Sequence, residues 1–333
     1  MRGALPLLLA FAAIPVAAPP FAALADVNWD RINLPAERAA IERFQLFDQR
    51  LQDVGWKMVR GNAAYCDRVI PSIGLQLQDL ASYGSPEVAR AALGLEGDFA
   101  VQTAARGSPA AASGAFPTNR EVTRLERFDP NQWEAEDKLD WQRLKRAHDH
   151  VDAMLVEHGG IAIGFADGSD VRVQPVEVCA TRFELLGNGT DAVADGNRVV
   201  IGMNFPAFSY EEEVFAGVVA HELAHNLLGH TAWLDRNGRR GRNVRDTERE
   251  ADRLMPWLLA NAGYDPEAAV RFFEQYRPTS GSVLFIRGSH SKWRDRAEAA
   301  AEEAALIETL VARDGKADWR THFRREIDPN KGL

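Results

Sequence analysis

From Tyr210 the chain reads YEEEVFAGVVAHELAHNLLGH, and Val214, Val218, His221, His225 and Leu228 recur at intervals of three and four. They therefore share one face of a helix. Glu211, Glu212 and Glu213 fall in its first turn, where acidic side chains favour the positive end of the dipole, and Gly229 can end it in the left-handed conformation. Between those limits the segment is so apolar that it predicts a core helix carrying its histidines into the interior. Farther on, Thr247 with Glu250 has the form of a capping box and Gly263 stands where a helix would stop, with Glu248, Asp252, Met255 and Leu259 on one face. Asp235 to Asp246, rich in arginine and glycine, reads as a mobile, solvated loop between these two helices.

Leu34 to Ala81 has helical periodicity, clearest in AERAAIERFQLFDQRLQDVGWKMV, and WEAEDKLDWQRLKRAHDHVDAML and AEAAAEEAALIETLVA predict further helices. Strands are predicted at Phe99–Thr103 and Arg198–Met203, and a hairpin at Ile161–Phe165 and Val171–Gln174 around the turn Ala166–Asp170. The fold class expected is α+β, mostly helical.

The chemistry lies in His221-Glu222-Leu223-Ala224-His225. Two imidazoles one helical turn apart with a carboxylate between them are a way for one helix to hold zinc and supply a general base. Buried histidines without a partner would cost desolvation energy, which a metal offsets. Glu222 would take a proton from bound water. Tetrahedral zinc needs a third protein ligand, and Glu248 is the candidate, with Asp252 one turn on accepting a hydrogen bond from a ligand imidazole. Glu250 points elsewhere on this reading and serves the cap. The longer pattern HExxHxxGxxH is excluded, because Leu228 and Thr231 stand where it needs glycine and histidine. His230 follows the helix end and reads as a loop residue or a supporting neighbour of the ligands.

HELAH, then EREAD, then AGYDPEAAVRFFEQ from Ala262, resembles the M48 family of zinc metallopeptidases, most strongly from Cys179 to Tyr276. The resemblance implies a zincin-type, gluzincin-like core holding one Zn2+ per chain on His221, His225 and Glu248, with Glu222 as base and Asp252 beside the ligands. Gly288-Ser289-His290-Ser291 resembles a later His-Pro segment of that family, with Ser291 in place of proline. It makes His290 and Arg296 candidates for binding substrate or steadying the transition state; a polar helix start is the alternative. An edge strand at Arg198–Met203 would, by the same resemblance, align an extended substrate across the metal by β-pairing.

Arg106-Gly107-Ser108-Pro109-Ala110-Ala111-Ala112-Ser113-Gly114 resembles the GSPAAxAG element of PDZ domains, although the following residues lack the usual Gly-Asp-x-Ile. A plain Ala/Ser/Pro linker is the alternative. The organisation expected is a signal peptide at 1–25, the N-terminal helical part of the scaffold at 26–86, a divergent PDZ-like insertion at 87–177, and the peptidase core with C-terminal helices at 178–333. If the insertion is PDZ-like, its groove would accept a peptide by strand addition.

The N-terminus, with a short basic start, an apolar stretch and Ala23-Leu24-Ala25, predicts a secretory signal cut before Asp26. Pro15, Pro19 and Pro20 speak against a membrane anchor, and no later apolar run is long enough for a bilayer. A mature chain in the periplasm without a transmembrane span is expected, with peripheral membrane association left open. The formal charge of −9 over 333 residues leaves no broad basic face and excludes nucleic acid as an expected partner. Cys66 and Cys179 either bridge in an oxidising compartment or stay as two separate thiols. Expected partners are protein or peptide substrates, misfolded envelope proteins among them by resemblance. The rival class is a chaperone-like or peptide-binding envelope protein with a structural or latent zinc centre.

Overall fold

The computed structural model describes residues 27–136, 139–275 and 292–331. Residues 27–32 belong to a small separate unit with one 3-10 turn at Trp29–Arg31. In the larger unit, helix α1 (Leu34–Gly61) is started by Asn33, whose side chain accepts from the Ala36 N–H, and by Pro35 in its first turn. It ends well before Ala81. The residues beyond it form strands β1 (Val69–Ser72) and β2 (Leu75–Asp79) instead. The reason is the alternation Leu75-Gln76-Leu77-Gln78, whose period of two buries Leu75 and Leu77 on one side.

Helix α2 (Pro86–Leu93), β3 (Phe99–Ala104), α3 (Pro109–Ser113), β4 (Val122–Leu125), α4 (Trp141–His158), β5 (Ile161–Phe165) and β6 (Asp170–Val173) follow. Strand β2 pairs antiparallel with β3, and β4, β5 and β6 form an antiparallel sheet with the expected hairpin at its end. Leu77, Phe99, Val101 and Val122 pack with Leu155, Ile161 and Ile163 in an apolar core of their own. The edge of β2 that β3 leaves free lies along α4. There the Leu77 N–H is donated to His148 Nε2 (3.4 Å) and Arg143 clamps Asp79 through Nε and Nη2 (2.7 and 2.5 Å), so a chain adding at this edge would displace both.

Strand β7 (Val176–Cys179) pairs antiparallel with β1, setting Val69 opposite Cys179 and Ser72 opposite Val176. Cys66 and Cys179 are bridged beside this ribbon, with a Cα–Cα distance of 5.6 Å. The stretch between the two strands thus leaves and returns through one stapled neck.

Strands β8 (Arg182–Leu186), β9 (Ala192–Ala194) and β10 (Arg198–Gly202) form a mixed sheet in which β10 is central, parallel to β8 and antiparallel to β9. The strand expected at the edge from Arg198 is therefore an inner one. Val199 and Ile201, both fully buried, account for the change, and the short β9 is the edge instead.

The remaining helices are α5 (Glu212–Leu227), α6 (His230–Asn237), α7 (Gly241–Asn261), α8 (Ala268–Gln275), α9 (Lys292–Asp314) and α10 (Trp319–His322). All residues of α5 from Val214 to Ala224 are buried, packed against α1, α7, α8 and β9. The predicted loop at Asp235–Asp246 is mostly helix, broken only around Gly238. Arginine is a good helix former, and Arg239 pairs with Asp235 at 2.8 Å and Arg249 with Asp246 at 3.1 Å along the helix surfaces. Helix α7 accordingly begins at Gly241, so Thr247 and Glu250 do not cap its start: Thr247 Oγ1 donates to the Val244 carbonyl inside the helix, and Glu250 turns inward. Among the described residues, no helix is long and apolar enough to cross a membrane.

Candidate metal centre

The apolar helix α5 brings His221 and His225 to its boundary with α7, and α7 presents Glu248 and Asp252 to them from the opposite side. His221 Nε2 and His225 Nε2 stand 3.2 Å apart. Glu248 Oε2 is 3.4 Å from the first and Glu248 Oε1 3.6 Å from the second. Donor atoms around tetrahedral zinc, with bonds of roughly 2.0–2.2 Å, stand about 3.3–3.6 Å from one another. The three side chains already have that spacing. Glu248 Oε2 is buried and lacks a hydrogen-bond partner among the described residues, as expected of an atom placed for a cation. His221, His225 and Glu248 are the one such cluster of His, Cys, Asp or Glu among the described residues, and no fourth side chain of those types joins it.

The surroundings attract positive charge. Burial disfavours an imidazolium at His221, yet Asp252 and Glu248 outweigh it and push the ring up to about 10. His225 is pushed well below its ordinary range by burial and by His221. The cluster thus draws a single positive charge to the space its donors share, a place a divalent cation would fill better than a proton.

Asp252 Oδ1 lies 3.1 Å from His221 Nδ1. Arg296 of α9 reaches the same carboxylate through Nε and, at 2.6 Å, through Nη2, and its Nη2 lies 3.7 Å from Glu248 Oε2. Burial opposes ionising Asp252, but Arg296 and His221 outweigh it and hold the carboxyl below its usual range. Arg296 therefore sits behind the ligands, bracing Asp252. His290 lies outside the described residues.

Glu222 is buried, and burial pushes its carboxyl up to about 7 against the pull of His221 and a hydrogen bond from the Ala194 N–H. That N–H belongs to edge strand β9, whose Ala194 carbonyl accepts from Thr231 Oγ1 at 3.2 Å. Asn226 ties α5 to the same sheet, accepting from the Gly196 N–H (2.7 Å) and donating to the Arg198 carbonyl (3.1 Å). The candidate base, the edge strand and the donor cluster thus share one corner of the molecule.

Gly229 adopts the left-handed conformation (φ 67°) and reverses the chain after α5. The turn swings His230 back beneath His225, with their Nδ1 atoms 3.0 Å apart, and His230 Nε2 lies 3.0 Å from Glu250 Oε2. Burial works against ionising Glu250, but hydrogen bonds from His230, Arg325 and the Ile327 N–H outweigh it and hold the carboxyl at about 2. The sequence reading missed Glu250 and Arg325. A signal was present for Glu250, since it sits two residues past Glu248 inside a helix whose other face carries the candidate ligands.

No family model, curated protein or solved structure matches this chain.

Proposed function

We propose that this chain is a zinc-dependent endopeptidase acting on proteins outside the cytoplasm. The observation that carries the reading is the spacing of His221, His225 and Glu248, with Glu222 buried beside them on the same helix. These three residues would hold one zinc ion, leaving a coordination position open for reaction. When bound, zinc supplies a Lewis acid that polarises a peptide carbonyl and lowers the pKa of a water. Glu222, with its proton affinity raised by burial, takes a proton from the attacking water on its carboxylate and returns it to the departing amine. Asp252, braced by Arg296, orients the His221 ring through Nδ1, and His290 remains a candidate for binding substrate. The edge of β9 is the place for an extended substrate to align.

The resemblance of HELAH, EREAD and AGYDPEAAVRFFEQ to M48 peptidases supports the same reaction. The Cys66–Cys179 bridge suits an oxidising compartment such as the periplasm, as does the N-terminal signal read from the sequence, whose residues lie outside those described. Unfolded or misfolded envelope proteins are the substrates that fit this location.

The test is Glu222→Gln. The variant should keep about one zinc per chain while cleavage of an unfolded protein substrate falls by at least about 100-fold, and a chelator should abolish cleavage by the unsubstituted protein. A Glu222→Gln protein that cleaves at the normal rate removes the base from this scheme, and cleavage that survives chelation removes the metal.

A further inference from the structure

The two histidines are held from behind in different ways. His221 Nδ1 faces a carboxylate, Asp252, at 3.1 Å, a common support for a metal-binding imidazole. His225 Nδ1 faces another ring nitrogen, His230 Nδ1, at 3.0 Å. For those two atoms to share a hydrogen bond, one must carry the proton and the other must accept it.

Glu250 decides which. Its Oε2 lies 3.0 Å from His230 Nε2, and an ionised carboxylate only accepts, so the proton of a neutral His230 sits on Nε2. Nδ1 of His230 is then an acceptor, and His225 must carry its own proton on Nδ1. That leaves the lone pair of His225 on Nε2, the atom facing His221 Nε2 and Glu248. Glu250 is itself fixed by the C-terminal segment: Arg325 Nη2 donates to Oε2 at 2.9 Å, and the backbone N–H groups of Glu326 and Ile327 donate to Oε1 at 2.7 and 2.9 Å. His230 and Glu250 are almost completely buried, so water does not substitute for these partners.

We infer that His230 and Glu250, anchored by residues 325–327, are positioning residues that hold His225 in the tautomer able to bind the metal ion. The inference rests on the metal reading proposed above. It assigns a role in metal binding to a segment separated by most of the C-terminal region from the nearest ligand in sequence.

The experiment measures zinc affinity of the full chain by competition with a chromophoric chelator, and the visible absorption bands of the cobalt-substituted protein. His230→Ala and Glu250→Gln should each weaken zinc binding by roughly 10- to 100-fold and alter the cobalt bands, with Arg325→Ala a few-fold weaker. His230→Gln, which restores a side-chain carbonyl acceptor, should regain part of what His230→Ala loses. Thermal melts of the metal-free proteins separate this from a general loss of folding. Zinc affinity and cobalt bands unchanged in a folded His230→Ala protein overturn the inference. Should that variant fail to fold, unchanged affinity in both His230→Gln and Arg325→Ala does so. An unsubstituted protein that binds no zinc overturns the metal reading itself, a failure visible before any variant is made.

Discussion

Helices α5 and α1 pack against each other but meet the rest of the molecule through different chemistry. Helix α5 is apolar around its whole circumference from Val214 to Ala220, and Leu254, Met255, Phe272 and Phe273 belong to the same core. Helix α1 gives Leu51, Val54, Met58 and Val59 to that core and turns amides and carboxylates toward the β2–β3 ribbon. Gln102 Nε2 donates to Asp48 (3.0 Å), Gln45 Nε2 to Gln78 Oε1 (3.3 Å), Gln49 Nε2 to the Ala104 carbonyl (3.0 Å), and the Arg106 N–H to Asp53 (2.7 Å). Apolar contact on that side is confined to a small patch where Ile41 meets Leu80, Ala89 and Leu93. Apolar packing is strong and indifferent to direction, whereas each bond in the seam contributes only about 1 kcal/mol net but fixes which groups must meet.

The sharpest break in this comparison comes from removing bulk beside α5. Phe215 is fully buried and its ring packs 4.8 Å from that of Phe208. Phe215→Ala should cost about 3–5 kcal/mol in urea unfolding; a loss under about 1 kcal/mol would mean that the core around α5 collapses freely. A change in the seam should act in the opposite direction. Burial pushes the Asp48 carboxyl up to about 6 despite hydrogen bonds from Gln52 and Gln102. Because the folded protein holds this proton more tightly than the unfolded chain, the group makes stability fall as pH rises between about 4 and 6, and the cost is complete above that window. Asp48→Asn should therefore stabilise the fold by about 1–3 kcal/mol at neutral pH and by nothing near pH 4. The new amide can donate to Gln102 Oε1, a buried atom with no partner among the described residues. Equal stabilisation at both pH values would show that Asp48 ionises freely in the fold. The smallest effect is expected of Gln45→Ala, about 1 kcal/mol or less, although it removes bonds to both Gln78 and Asn119.

These two helices also mark what could be read in the sequence. The apolar run and its two histidines at one-turn spacing announce α5 directly, because helical period and burial point the same way. Glu248 and Asp252 were legible as a pair for the same reason. The start of α7 was not: Thr247 and Glu250 match a cap in letters, but the arginine-rich stretch before them continues the helix, and Glu250 is drawn inward by His230 and by a chain segment far away in sequence. Local pattern carries no information about such a partner. The end of α1 was missed because its polar positions, outward-facing by pattern, are covered by a ribbon whose own period of two was overlooked. Strand β10 was read as an edge because strand order depends on pairing that no single segment encodes.

The stapled neck gives the chain a natural splice point. Ser72 and Val176 lie directly opposite each other, so a tight turn joining them would preserve the ribbon, its register and the Cys66–Cys179 bridge while omitting everything between. The face of α1 uncovered by that excision would present Gln45, Asp48, Gln49, Gln52 and Asp53, side chains already suited to water. Such a helix can serve with or without its covering. A lineage could gain, lose or exchange the covered stretch as one block of genetic text, without rewriting the helix that holds it or the histidines on the far side.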